Sequence, residues 1–509
     1  MNKIFIGIDR MTLEDLIDIA RNDYQVVLTK EAETSIKSAR SLIEKWVKEE
    51  KIIYGVTTGF GALSNVIISK KDIRKLQKNI IMSHAAGVGN SLDKETVRAT
   101  MALRIKDLAR GNSGIRLKTV EQLVQLLNNE IYPVVPEKGS VGASGDLAPL
   151  AHLSLVLLGM GEAFYRGKKL SGKEVLSQCG LKPIHLKAAE GLALVNGTQL
   201  MTAIGGLTVY DAIRLSKMTD IAASMSLEVL MGSRTEFNPR IHKVRPHPGQ
   251  GISANNMEKI TQNSEIITSH QDCSRVQDAY TLRCSPQVHG ASRDAINYCR
   301  NVIETEMNSS TNNPLIFADQ KDFLLGGNFH GQPIALAMDF LSIAISELGN
   351  ISERRIERLV NPMLSGLPAF LVKNGGLNSG FMLAQYTAAA LVSENKVLSH
   401  PASVDSIPTS ANKEDHVSMG TIAARKCREI VRNTELVIAV ELLCASQALD
   451  LFTDMKAGQG TLAAYNAIRS SIPHMEKDRI LSNDIDSMVN LIKNGEIIEA
   501  VEKAIGKLS

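Results

Sequence analysis

The chain has 509 residues, 44% of them hydrophobic and 4% aromatic, with 57 basic against 54 acidic side chains and a formal net charge of +3. That length and apolar content suffice for a large core with more than one lobe. The balanced charge and scarce aromatics argue against nucleic acid and membrane surfaces as partners. Six cysteines, at 179, 273, 284, 299, 427 and 444, form no Cys-x-x-Cys pair. This excludes zinc-finger and thioredoxin-like readings and fits reduced thiols in the cytoplasm.

The opening MNKIFIGIDRMTLEDL has no sustained apolar run and no small-residue cleavage pattern, so no signal peptide is expected. A short strand is predicted at 3–8. In KEAETSIKSARSLIEKWVKEE, Ile36, Ala39, Ile43 and Trp46 recur at i, i+3, i+7 and i+10, one apolar face on a charged helix. Tyr54 opens YGVTTGFG, a Gly/Thr-rich loop whose backbone can approach a ligand. It is either a proton-transfer group, with a pKa lowered from its ordinary value near 10, or a packed loop aromatic. A phosphate loop is excluded, since no strand precedes it and no Gly-Lys-Ser/Thr follows. Further helices are predicted over about 70–82, 93–110 and 117–128. His84 falls in MSHAAGVGN, where a helix ends at Gly87, and is either a dipole partner or a ligand contact. A second short strand is expected at 131–135.

The segment GSVGASGDLAPLAHLSLVLLG, 139–159, carries the most specific chemistry. The amide nitrogen of Gly145 can attack the carbonyl carbon of Ala143, because glycine tolerates the strained dihedrals that closure needs. Loss of water closes a five-membered imidazolone. Loss of the Ser144 hydroxyl as a second water leaves an electron-poor exocyclic alkene. The bland alternative is a helix start, with Ser144 or Asp146 capping and Pro149 in the first turn. The apolar run 147–161 is broken by Pro149, His152 and Ser154 and is shorter than the roughly 20 residues of a membrane span, so it reads as a core helix.

Past about residue 190 the helices become long and apolar on every side, as in 334–349 and 434–452. Such helices must be buried in a large bundle or between subunits. The glycine-rich joints 54–61, 139–145, 247–251, 326–331 and 374–380 are where functional groups would sit. Asn196, in VNGTQ, is an amide in an apolar stretch that needs a partner or a ligand, or else marks a turn. In RVQDAYTLRC, Gln277, Tyr280 and Arg283 fall at i, i+3 and i+6 of a helix and suit capture of a small carboxylate. An ordinary solvated face, decorated by Arg275 and Asp278, is the alternative. Phe329 and His330 lie between glycines in GGNFHGQP, where a ring can be laid on a planar ligand. In SANKEDHVSMG, Glu414, Asp415 and His416 precede a helix whose N-terminal dipole they would complement. His242 and His247 lack a third ligand, so no metal is expected.

Taken in order, YGVTTGFG, SHAAG, GSVGASGDLAPLAH, NGT, VQDAYTLRC, GNFHGQP and SANKEDHVSM resemble the histidine ammonia-lyase family within the aromatic amino acid lyases. The likeness spans roughly 54–420. It implies a mainly α-helical fold built on a long central helix bundle, over 191–509. A smaller N-terminal lobe, over 1–190, would carry the Tyr54 loop and the self-processed loop. It further implies a cytoplasmic homotetramer that converts L-histidine to trans-urocanate and ammonia, the first step of histidine degradation. The prosthetic group would be the methylidene-imidazolone (MIO) made from Ala143, Ser144 and Gly145, with no external cofactor. Tyr54 would be the β-proton base, and Arg283 would hold the carboxylate with Asn196 and Tyr280. His84 and Glu414 match positions that contact the imidazole, and Gln277 and Phe329 complete the binding set. Two departures stand out: Lys413 where the family has Gln, beside Glu414, and Asn312 where it commonly has Asp. A phenylalanine or tyrosine ammonia-lyase, an aminomutase, or a helical scaffold without catalysis are the competing readings.

Overall fold

A computed structural model describes residues 2–271 and 276–509; Cys273 and Arg275 lie outside the described residues. Helices dominate, and among the described residues the strands are confined to four small sheets of two or three. The predicted N-terminal strand is Lys3–Ile6, paired in parallel with Gln25–Leu28. The second shortens to Tyr132–Pro133, which pairs with Glu162–Tyr165.

The helix Lys30–Lys48 forms as its pattern dictates. Thr29 caps it by accepting from the Ala32 amide, acidic residues fill its first turn and lysines its last. Its face of Ile36, Ala39, Ile43 and Trp46 is buried. The other early helices are Ile73–His84, Lys94–Ala109 and Leu117–Asn128. Lys94–Ala109 is unusual, because every residue from Thr96 onward is buried, Arg98, Arg104, Lys106 and Asp107 included. Such charges persist in a core only where they find partners.

The chain folds into two compact units, each drawn from separate stretches of the sequence. The first comprises 1–210, 300–339 and 401–425, the second 211–299, 340–400 and 426–509. Within the second unit, the buried Glu441 accepts from Arg355 Nε at 2.6 Å and from the Ser226 and Ser352 hydroxyls. Residues 247–251 open the helix Pro248–Ile260 rather than forming a joint, and His242 is tied by both ring nitrogens, to Glu236 O and the Gln250 amide.

The two helices that are apolar all round behave differently. Residues 437–449, the end of helix Gly420–Leu449, are buried throughout. Helix Gln332–Val360 is long and apolar enough to cross a membrane, with 72% of its most apolar window buried inside the protein. It nevertheless leaves Leu336, Phe340 and Ile343 exposed by 52%, 46% and 48%. Their spacing makes one stripe along the helix. Burial of this helix on every side is therefore not achieved within one chain.

Candidate functional site

The loop around Ala143, Ser144 and Gly145 lies in the first unit and is held from several sides. Ser418 Oγ donates to Gly142 O at 2.8 Å, Met419 N to Val141 O at 2.9 Å and Gly331 N to Gly142 O at 3.3 Å. Ala143 is buried against Val417 and Met419. The glycines 142 and 145 both stand at φ +68°, the left-handed region that glycine occupies without penalty. Gly145 also runs beside Gly197 in a parallel bridge. A Cβ on Gly145 would lie 2.1 Å from Gly197 O. No other residue fits there.

Asp146 does not cap the following helix Leu147–Leu155 with its side chain. Its backbone N–H donates to Gly197 O at 2.7 Å, and its carboxylate accepts from Met201 N at 2.9 Å, Ser140 Oγ at 2.9 Å and the Thr421 hydroxyl. Burial raises its pKa, and these donors oppose the rise. A helix does start here, with Asp146 at its N-cap position and Pro149 in its first turn, but the Asp146 carboxylate does not cap it and instead ties the loop to helix Gln199–Val229.

Asn196 ends the helix Glu190–Val195. Its Nδ2 donates to Ser144 O at 3.0 Å, while its Oδ1 is buried with no partner among the described residues. An orphaned acceptor beside Ser144 is a place where a ligand N–H can be received.

Ala143 and Ser144 open onto a cavity of about 610 Å³. Around it stand Tyr54, Phe329, His330, Lys413, Glu414 and His416. Tyr54 rests edge-on to Phe60, and its hydroxyl oxygen accepts from Gly61 N at 3.2 Å. His330 stacks on His416 with centroids 5.6 Å apart and planes 2° from parallel. Glu414 is fixed by a tight hairpin: Thr409 pairs with it through the backbone, and Thr409 Oγ1 donates to its Oε2 at 2.9 Å. The hairpin's tip, Ser410, Ala411 and Asn412, runs at φ of 51°, 52° and 64°. Three successive left-handed non-glycine residues are strained and mark a site whose surroundings enforce the turn.

His84 is the last residue of its helix, three positions before the expected end, and does not line the cavity. Burial pushes its pKa below the usual imidazole range; the Ile80 carbonyl and the charge of Glu414 pull it back. His84 is thus within electrostatic reach of Glu414.

Gln277, Tyr280 and Arg283 belong to the second unit and do not line the cavity. The expected single helix is absent. Only Tyr280–Arg283 is helical, and Gln277 precedes it in non-helical backbone. Asp278 is buried and accepts from Ser233 N at 2.6 Å, so it does not decorate a solvated face. Arg283 lies 4.8 Å over the Tyr280 ring, which is 70% exposed, and its Nε is buried with no partner among the described residues.

Sequence patterns did not mark Asn313, Phe323 or Leu325, which line the cavity, nor Arg104 against Asn196. The signal for Arg104 was present: charges at 98, 104, 106 and 107 are scattered round the helix rather than gathered on one face.

A family model described as aromatic amino acid lyase matches residues 11–470. The histidine ammonia-lyase of Alkaliphilus oremlandii is 56% identical over 505 residues, covering 99% of each chain. Among solved structures, histidine ammonia-lyase from Trypanosoma cruzi aligns with a TM-score of 0.92 at 43% identity, over 99% of this chain and 96% of that one. Tyrosine aminomutase from Streptomyces globisporus aligns at 0.95 and 36% identity over the whole of both chains.

Proposed function

The chain belongs to the aromatic amino acid lyase family, and on that premise we propose that it removes ammonia from L-histidine without oxidation, leaving trans-urocanate. The carrying observation is Ser144, whose carbonyl is held by the Asn196 amide at the wall of a cavity shared with Tyr54 and Glu414.

The residues fit a ring closed over Ala143, Ser144 and Gly145. Gly145 is pressed on Gly197 where a Cβ has no room, and Asn196 holds the one carbonyl oxygen that such a ring keeps. The MIO ring supplies an electrophile that turns a poor leaving group into a better one. The chain's own groups do the rest. Tyr54, on the same cavity, takes the β-proton. Glu414, its Oε2 anchored by Thr409, accepts from the imidazole, with His84 nearby. Phe329 lies against the substrate, and the unpartnered Asn196 Oδ1 receives an N–H.

The carboxylate anchor in this reading is Arg283, with Gln277 and Tyr280, supplied by another copy in a cytoplasmic homotetramer. The exposed stripe of Leu336, Phe340 and Ile343 supports such a packing, since apolar surface of this kind is stabilised by cover. Incubation with L-histidine tests the function. Ultraviolet absorbance of urocanate rises if the reading holds, and its absence with pure, folded protein overturns it. Borohydride should abolish both the activity and the absorbance of the electrophile.

A further inference from the structure

A buried polar cluster packs directly against Asn196 and Gly197. Arg104 Nη1 donates to Asn196 O at 2.8 Å and to Gln199 Oε1 at 2.6 Å. Its Nη2 donates to Asn312 Oδ1 at 3.0 Å and pairs with Asp107 Oδ2 at 2.9 Å. Asn312 Nδ2 donates to Asp107 Oδ2 at 2.8 Å, and Gln199 Nε2 to Thr311 Oγ1 at 2.8 Å. Arg104 and Asp107 are almost wholly buried, and Arg104 Nε has no partner among the described residues. The guanidinium is therefore held by its two Nη groups alone.

Gly197 is caught between this cluster and the tripeptide. A Cβ built on it would meet Gln199 Oε1 at 2.4 Å, Arg104 Nη1 at 2.6 Å and Thr311 Oγ1 at 2.6 Å, while its carbonyl presses on Gly145. We propose that Arg104 and Asn312 are positioning residues for self-cyclisation: they hold the Asn196–Gly197 peptide as a rigid backing against Ser144 and Gly145.

This rests on the MIO reading above. In the step served, a bond forms from Gly145 N to Ala143 C and the Gly145 amide proton passes to the Ala143 oxygen. That oxygen leaves as water with the Ser144 amide proton, giving a C=N bond. Ser144 Oγ then leaves as a second water with the Cα proton, giving the exocyclic C=C. No oxidant or reductant is needed. Closure requires the tripeptide to adopt a compressed turn, and a soft backing would let it relax instead of closing.

Asn312 is suited to its place because an amide both accepts and donates. It takes the Arg104 N–H on one side and gives an N–H to Asp107 on the other, which leaves the cluster neutral. The test is peptide mass spectrometry of the segment containing residue 144 in purified protein, with cooperative unfolding and helical content measured on the same samples. Wild type should show a deficit of two waters; if it does not, the MIO reading itself fails. Asn312→Leu, isosteric but unable to bond, should retain the fold and lose the deficit in a several-fold larger fraction of molecules. The exchange Asp107→Asn with Asn312→Asp keeps the charge and the main bonds and should restore the deficit. Complete dehydration in folded Asn312→Leu overturns the proposal. Should that variant not fold, the exchange decides: recovery of fold and deficit supports the proposal, and failure of either overturns it.

Discussion

Gly145 and Gly197 meet backbone to backbone, so closely that a methyl group on Gly145 would stand 2.1 Å from the Gly197 carbonyl oxygen. The contact joins the tripeptide for which cyclisation is proposed to the peptide that carries Asn196.

Gly145→Ala should prevent cyclisation. The new Cβ collides with backbone and forces a left-handed φ on a residue that resists it, at a cost of about 1–3 kcal/mol before the collision is counted. The residue-144 peptide should keep its unmodified mass. Deamination should fall on the order of 10²–10³-fold, the scale on which loss of a central electrostatic group is felt. Wild-type activity in Gly145→Ala would contradict this.

Substrate choice follows from the polar groups around the cavity. Glu414 is oriented by Thr409, and His84 lies within its electrostatic reach. An apolar ring would offer Glu414, which lines the cavity, no N–H to accept from. A site built for polar partners rejects the analogue lacking them by on the order of 10⁴-fold. Steady-state kinetics should give that preference in kcat/KM for L-histidine over L-phenylalanine. Comparable values would favour an aromatic lyase or aminomutase.

Arg283 does not line the cavity of its own chain, and its Nε waits buried without a partner among the described residues. Ser144→Ala and Arg283→Ala should each be nearly inactive. Mixed in one oligomer, they should regain activity, because some sites then draw both intact groups from different chains. Random mixing gives about one quarter of sites both groups. No recovery in verified mixed oligomers would place the whole site within one chain.

Glu228 gives a pH signature independent of catalysis. Burial raises its pKa from 4.5 to about 6, although Gly458 N, Thr461 Oγ1 and Ser264 Oγ donate to it. Well below 4.5 both folded and unfolded chains carry the proton. As pH rises, the unfolded chain ionises first, so stability falls until Glu228 itself ionises above about 6. The loss is about 2 kcal/mol. Glu228→Gln lacks this titration. Thermal unfolding across this range should therefore show the variant gaining on wild type as pH rises, and a constant gap would refute the assignment.

The candidate site was legible in the sequence to the extent that it is written in short motifs. The closure proposed for Ala143, Ser144 and Gly145 can be read from the sequence because it involves only neighbouring atoms. Tyr54, Phe329 and Glu414 sit in Gly-rich or polar segments that interrupt helical periodicity, and all three line one cavity. The helix expected to carry Gln277 is not formed, because a spacing of three residues suggests a helix whereas the backbone there is irregular and only Tyr280–Arg283 of that segment is helical.

The sequence by itself determined the helical class, the ends of the early helices to within a few residues and the order of the reactive segments. These depend on periodicity, caps and local steric freedom, which act over a few residues. Tertiary structure alone decided which charges are buried and what they hold. Asp146 turns from its own helix to Met201, and Arg104 reaches Asn312 across 208 positions of sequence. It also decided that Leu336, Phe340 and Ile343 stay exposed on an otherwise buried helix. Hydrogen-bond partners and covered faces are set by the packing of distant elements, and no local pattern contains that information.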